Sequence, residues 1–319
     1  MALGTARLER AADGARAVPV VHATDLYRPH QDPDDHWDLA CVYALAYLGD
    51  YDLRAVLIDF PPQGRPLDPD VMAVAQMNYL TGKAVPALTG APAGAADGAL
   101  GGVRAVLEIL KSSKRPVVIH VVGASRDIAL AARMEPRLFA DKCAGVYLNA
   151  GSGTQDKAKA ADLEYNVKLD PASYAAMFEL PCPVFWMPCF EHAKGPFRVG
   201  QWGTYYSFRH AEVMPALSPG VQNYFAMMYR HGQAARQGQV ESRGAWNWLQ
   251  GLEGPPDTAQ MKALGPTSRA MWCTAGFLHA AGKTVTRGGE IVALSGAAEP
   301  VFTFDPIRVR CAADGVTEW

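Results

Sequence analysis

The chain of 319 residues is predicted to fold as an α/β protein with an open, mostly parallel central sheet and helices on both faces. Three observations predict it. Short apolar runs alternate with helix-like runs through the first two-thirds of the chain, the pattern of βαβ units with right-handed crossovers. One run, Pro116 to Val122, is continuous rather than alternating, as a central parallel strand covered on both faces requires. Polar or glycine-led segments follow several of the runs, at the strand ends where open α/β sheets bind ligands.

In chain order, Val18 to Ala23 reads as the first strand and Leu39 to Leu48 as a buried helix. Leu53 to Phe60 follows as a strand, and Asp68-Pro69-Asp70 is predicted to open a helix to about Thr81, with proline at an early helical position. Val85 to Gly90 is a short strand end, Ala91 to Gly102 a loop, and Gly102 to Leu110 a helix. After the central strand, Gly123-Ala124-Ser125 turns into a helix over Asp127 to Met134. Cys143 to Leu148 is a strand, Pro171 to Glu179 a helix and Pro183 to Pro188 a strand. Residues 190 to 270 are expected to be mostly helical, a cap beside the sheet. Glu290 to Leu294 and Val301 to Phe304 alternate as an edge hairpin would. Residues 18 to 319 are read as one domain and residues 1 to 17 as a tail or short helix.

Composition narrows the function. With 30 basic and 32 acidic residues, the chain lacks the basic surface that nucleic acid demands. The six cysteines are widely spaced with no CxxC pair, so buried free thiols in a reducing compartment are expected. No apolar run reaches membrane-spanning length, and Met1 to Ala17 lacks the apolar core of a signal peptide. A cytoplasmic protein acting on a small molecule, without nucleic acid or membrane, is the expectation.

The chemistry centres on Thr24 to Asp38, where Asp25, Asp32, Asp34, Asp35 and Asp38 crowd between a strand and a helix. Clustered carboxylates repel unless a cation or shared protons compensate, which points to a hard, oxygen-liganded ion; turn and capping chemistry is the plainer account. Three further segments fall at strand ends: Gly123 to Ala131, Leu148-Asn149-Ala150-Gly151, and Glu164-Tyr165-Asn166 with Asp170-Pro171 after it. In an extended segment Glu164 and Asn166 face one way, and a carboxylate beside an amide suits sugar hydroxyls. His192, after the strand ending at Pro188, is a further candidate for ligand contact. Trp186, Trp202, Tyr205 and Trp248 are candidates for stacking or, equally, core packing. Gly101-Gly102 and Gly151-Ser152-Gly153 lack the spacing of a phosphate loop.

From about residue 19 to 190, the order and spacing of these segments resemble the inosine–uridine-preferring nucleoside hydrolase family. Asp25, the Asp34-Asp35 pair, the Gly123 turn, Leu148 to Gly151, Glu164-Tyr165-Asn166 and Asp170-Pro171 carry the resemblance. It implies a nucleoside hydrolase-like fold, a nucleoside or sugar substrate and hydrolysis of an N-glycosidic bond. It implies a calcium ion on Asp25, Asp35 and the Arg126 carbonyl, a proton taken from water by Asp34 or Asp35, and ribose held by Asp34, Asn149, Glu164 and Asn166. Family members commonly associate, so a homo-oligomer is possible on the same ground. The chain also departs from the family. The late His-Asp pair is absent from Arg269 to Ala275, Arg126-Asp127 replaces Thr-Asn, and the loop Leu26 to Pro33 is long. Asp38 rivals Asp34-Asp35 as the helix-start carboxylate, though a paired carboxylate at a helix N-terminus is favoured by the dipole. Two alternatives follow: a nucleoside- or sugar-binding protein without turnover, and a hydrolase of a different glycoside.

Overall fold

The computed structural model describes residues 17–28, 33–65, 67–95, 99–189, 202–203, 206–238 and 247–319. Strand β1 (Val18–Thr24) is followed by the short β2 (Tyr27–Arg28) and helix α1 (Pro33–Leu48). Then come β3 (Tyr51–Ile58), β4 (Asp68–Pro69), α2 (Val71–Thr81), β5 (Ala87–Thr89) and α3 (Gly101–Ser112). β6 (Val117–Val121), α4 (Arg126–Met134), β7 (Cys143–Leu148) and β8 (Val184–Trp186) complete the core. Six strands form one sheet in the order β5-β3-β1-β6-β7-β8, and every pairing in it is parallel.

The chain winds outward from β1 in one direction, returns to β6 and winds outward in the other. The strand order therefore reverses between β1 and β6, the switch point at which open α/β sheets form their ligand crevice. Both faces are covered, as the continuous apolar strands require. Leu39, Val42 and Tyr43 of α1 pack with Met77 of α2 on one face. Val103, Val106, Leu107 and Leu110 of α3 pack with Ile128 of α4 on the other. The spacing of those α3 residues is the apolar stripe of a surface helix.

Helix α1 starts six residues earlier than the apolar run alone predicts. Pro33 suits a first helical turn, and Asp34 and Asp35 lie in that turn, where the dipole favours them. Asp68-Pro69 does not open α2. It pairs antiparallel with β2, and Asp70 caps the helix by accepting a bond from the Ala73 N–H at 3.1 Å.

Toward the C-terminus, Ile291–Ala293 pairs with Lys283–Val285 as a hairpin. Val301 to Phe304 forms no strand; Val301 N–H donates to Val285 O, and the Phe304 ring packs on Tyr147, Phe185 and His279. Within the region expected to be mostly helical, Tyr206–Arg209 and Ser268–Met271 form an antiparallel pair, with helices at Pro219–Arg236 and Thr258–Leu264. No helix among the described residues is long and apolar enough to cross a membrane.

Candidate functional site

The ladder runs one step past each strand end. Asp59 N–H donates to Thr24 O, Val122 N–H to Ala23 O, Asn149 N–H to Val121 O and Met187 N–H to Leu148 O, all at 2.8–2.9 Å. Asp25, Asp59, Gly123 and Asn149 thus come together along the C-terminal edge, around the switch point.

Asp25 is buried there, beside α1. Thr24 Oγ1 lies 3.5 Å from Asp35 Oδ1, tying the end of β1 to the first turn of that helix. Asp34, on the same turn, meets Arg269 Nη1 at 3.2 Å, with about a quarter of each side chain exposed (22% and 24%). Arg269 reaches it from Ser268–Met271, whose pairing with Tyr206–Arg209 sets Arg269 opposite Phe208. Asp38 lies beside the buried thiol of Cys273, which burial and then this carboxylate hold protonated.

Asp59 ends β3 as Asp25 ends β1. It is fully buried, and its Oδ2 accepts a very short bond from the Ala124 N–H. Burial pushes its carboxyl well above the usual carboxylate range, and the nearby Asp127 and Asp25 push it further. Gly123 makes this arrangement possible: a Cβ there would stand against Asp59 Oδ2 and 2.5 Å from the backbone N of Asp25. Asp127 is also buried with a raised carboxyl pKa, caused by desolvation, and it accepts the Ala91 N–H at 2.7 Å. Arg126 turns its side chain outward, bonding Asp170 Oδ2 at 3.1 Å, Leu169 O at 3.2 Å and Ala91 O at 3.3 Å. As the first residue of α4, it has its carbonyl within the helix.

The Glu-Tyr-Asn segment is a helix start rather than the extended run expected. Glu164 caps Tyr165–Leu169, accepting Asn166 N–H through one oxygen and Gly151 N–H through the other, both at 2.9 Å. Asn166 Nδ2 donates to Val122 O at 3.1 Å and Asn149 O at 3.2 Å. Asn149 Nδ2 donates to Met187 O at 2.9 Å. Its Oδ1 accepts from Cys273 Sγ at 3.2 Å and Cys189 Sγ at 3.5 Å. These three residues therefore knit the ends of β6, β7 and β8 into one wall. Desolvation raises the Glu164 carboxyl, against the pull of its backbone donors.

Asp25, Asp34, Asp35, Asn149, Glu164 and Asn166 all lie along this edge, while the Arg126 side chain turns from it to Asp170. His192 and Tyr205 lie outside the described residues, as does Asp32. Among the aromatic candidates, Trp186 Nε1 donates to Ala150 O at 2.8 Å, Trp202 packs edge-on to Trp319 and Trp248 is buried. Asp59, Arg269 and the two thiols were not singled out from sequence. Asp59 carried a signal, a carboxylate closing an apolar run as Asp25 does, whereas the others are brought in by long-range packing. Two surface hollows, touching Arg54, Arg115, Tyr51 and Lys83, open at the opposite edge of the sheet, away from this chemistry.

The calcium ion that the resemblance implies does not find a set of ligands among the described residues. Among the described residues no three or more His, Cys, Asp or Glu side chains are grouped to hold a metal, whereas calcium takes six to eight oxygens. A guanidinium meets Asp34 and a protonated thiol meets Asp38, where further oxygens would be needed.

No family model matches the chain, and no curated protein matches it in sequence. Among solved structures it is similar to the effector protein XOO4466, at 16% identity over 83% of this chain and 80% of that one, with a TM-score of 0.48. It is similar also to an inosine–uridine-preferring nucleoside hydrolase from Bacillus anthracis, at 13% identity over 86% and 90% of the two chains, with a TM-score of 0.42. A purine-preferring ribonucleoside hydrolase from Gardnerella vaginalis gives 12% identity over 82% and 96%, with a TM-score of 0.40. At these scores the likeness is partial, and this chain's own residues carry the chemistry of the site.

Proposed function

We propose that the switch-point site takes the ribose of a ribonucleoside or related N-riboside, and that water cleaves the N-glycosidic bond there. One observation carries the reading. Asp25 ends β1, Asp35 is tied to that end through Thr24, and Glu164, Asn166 and Asn149, bonded to one another, lie along the same C-terminal edge at the switch point. Carboxylates gathered in this way suit a sugar ring on which positive charge develops as the bond breaks. In this scheme Asp35, steadied by Thr24, takes the proton of the attacking water, and Asp25 faces the developing charge. Asp34, held by Arg269, binds a ribose hydroxyl. Asn149, Glu164 and Asn166 fix the wall against which the sugar sits. No step passes through calcium, because the described residues are not grouped to hold it.

The test is release of free ribose from inosine, uridine and p-nitrophenyl riboside by wild type and Asp35→Ala. Release by the wild type that disappears in the variant is expected; no release from any of the three substrates sinks the hydrolase reading.

Binding without turnover is a second reading, favoured by one specific observation. Both Glu164 oxygens and the Asn149 amide are already engaged within the protein, which leaves them less free to act on a substrate. Under this reading, inosine gives a binding isotherm and no ribose.

A further inference from the structure

We propose that Arg269 is a fixed cation of the acidic site that opposes a divalent metal there, so that the site binds its ligand without metal. This rests on reading the switch-point edge as the ligand site.

The guanidinium meets Asp34 Oδ1 at 3.2 Å on the first turn of α1. It is placed by backbone pairing between Ser268–Met271 and Tyr206–Arg209 rather than by a loose loop. Partial burial of both partners makes the charge felt more strongly than at an open surface. Four residues on, the chain presents Cys273, whose buried thiol donates to Asn149 Oδ1 at 3.2 Å. That return segment thus supplies a cation and a neutral thiol, and adds no carboxylate to the cluster. Arg126 is held elsewhere, by Asp170, Leu169 and Ala91.

Calcium affinity depends on the charge and number of oxygen ligands. A guanidinium a few ångströms away opposes a divalent ion by direct repulsion and by occupying a carboxylate oxygen. Its planar fork of donors suits the neighbouring hydroxyls of a ribose, which a metal would otherwise coordinate.

Calcium chloride alone is the probe, titrated calorimetrically and in thermal melts with and without EDTA, on wild type, Arg269→Met and Arg269→Gln. The wild type is expected to show no binding heat up to millimolar calcium and no change in melting temperature with EDTA. Either neutral variant is expected to gain calcium affinity by at least about tenfold, as a repelling charge leaves the site. One equivalent of calcium bound by the wild type at submillimolar concentration overturns the proposal, as does no gain in whichever variant folds. No nucleoside is present, so a failed glycosidase assay leaves this result standing, and the reverse holds too.

Discussion

Beneath the site, two histidines face each other inside the sheet, and they set how the fold responds to acid. His22 of β1 is in register with His120 of β6; both are fully buried, with ring centroids 5.8 Å apart. Neither ring nitrogen of His22 has a partner among the described residues. Burial lowers its pKa from 6.5 to about 3, and His120 is lowered well below 6.5 by burial and then by His22.

A depressed histidine pKa means that the unfolded chain takes up the proton first. The contribution of His22 to stability is therefore intact above pH 6.5 and lost as pH falls from 6.5 toward 3. At 1.36 kcal/mol per pKa unit, the wild type gives up about 2 kcal/mol through this residue at pH 5 and about 3 kcal/mol at pH 4. His22→Leu removes that titration. It also removes two buried polar atoms that lack partners, so its cost at pH 7.5 is expected to be small or reversed. Urea unfolding of both proteins at pH 7.5, 6, 5 and 4 isolates the effect as a difference between them. The variant should gain on the wild type by about 2 kcal/mol between pH 7.5 and 5. A difference that stays constant across the series refutes a neutral, desolvated His22.

Two other substitutions probe the site's framework. Gly123→Ala drives a Cβ onto Asp59 and the backbone of Asp25; it should cost about 3 kcal/mol, lowering Tm by roughly 4–5 °C. Gly101→Ala meets nothing within 4 Å and should stabilise by about 0.5–1 kcal/mol, so equal melting temperatures for the two variants would contradict the packing described. Glu164→Ala removes a helix cap, worth about 1 kcal/mol. It also strands the Gly151 N–H, for about 1–3 kcal/mol more; denaturant midpoints read the sum, and a loss under 1 kcal/mol would mean that the wall stands without Glu164.

The parallel sheet was legible because its strands are buried on both faces. Cys143 to Leu148 matches the strand residue for residue, and Pro116 to Val122 brackets β6. Local chemistry fared less well where partners are distant. Asp68-Pro69 has the look of a helix start, yet its pairing with Tyr27–Arg28 decides otherwise. Glu164 and Asn166 were legible as a pair, but their roles as cap and cross-link depend on Gly151, Val122 and Asn149. Arg269 is 235 residues from Asp34 in sequence, and no spacing rule connects them. The carboxylates of the acidic loop could be read from the chain; the pairing of Asp34 with Arg269 could not.

The most direct test of a ribose-binding switch point is calorimetric titration with inosine and with 2′,3′-dideoxyinosine, which keeps the base and lacks both hydroxyls. The proposed function predicts that inosine binds at least about tenfold more tightly, because a site that bonds hydroxyls rejects their loss. Equal affinity for the two, or no heat from either, would contradict it.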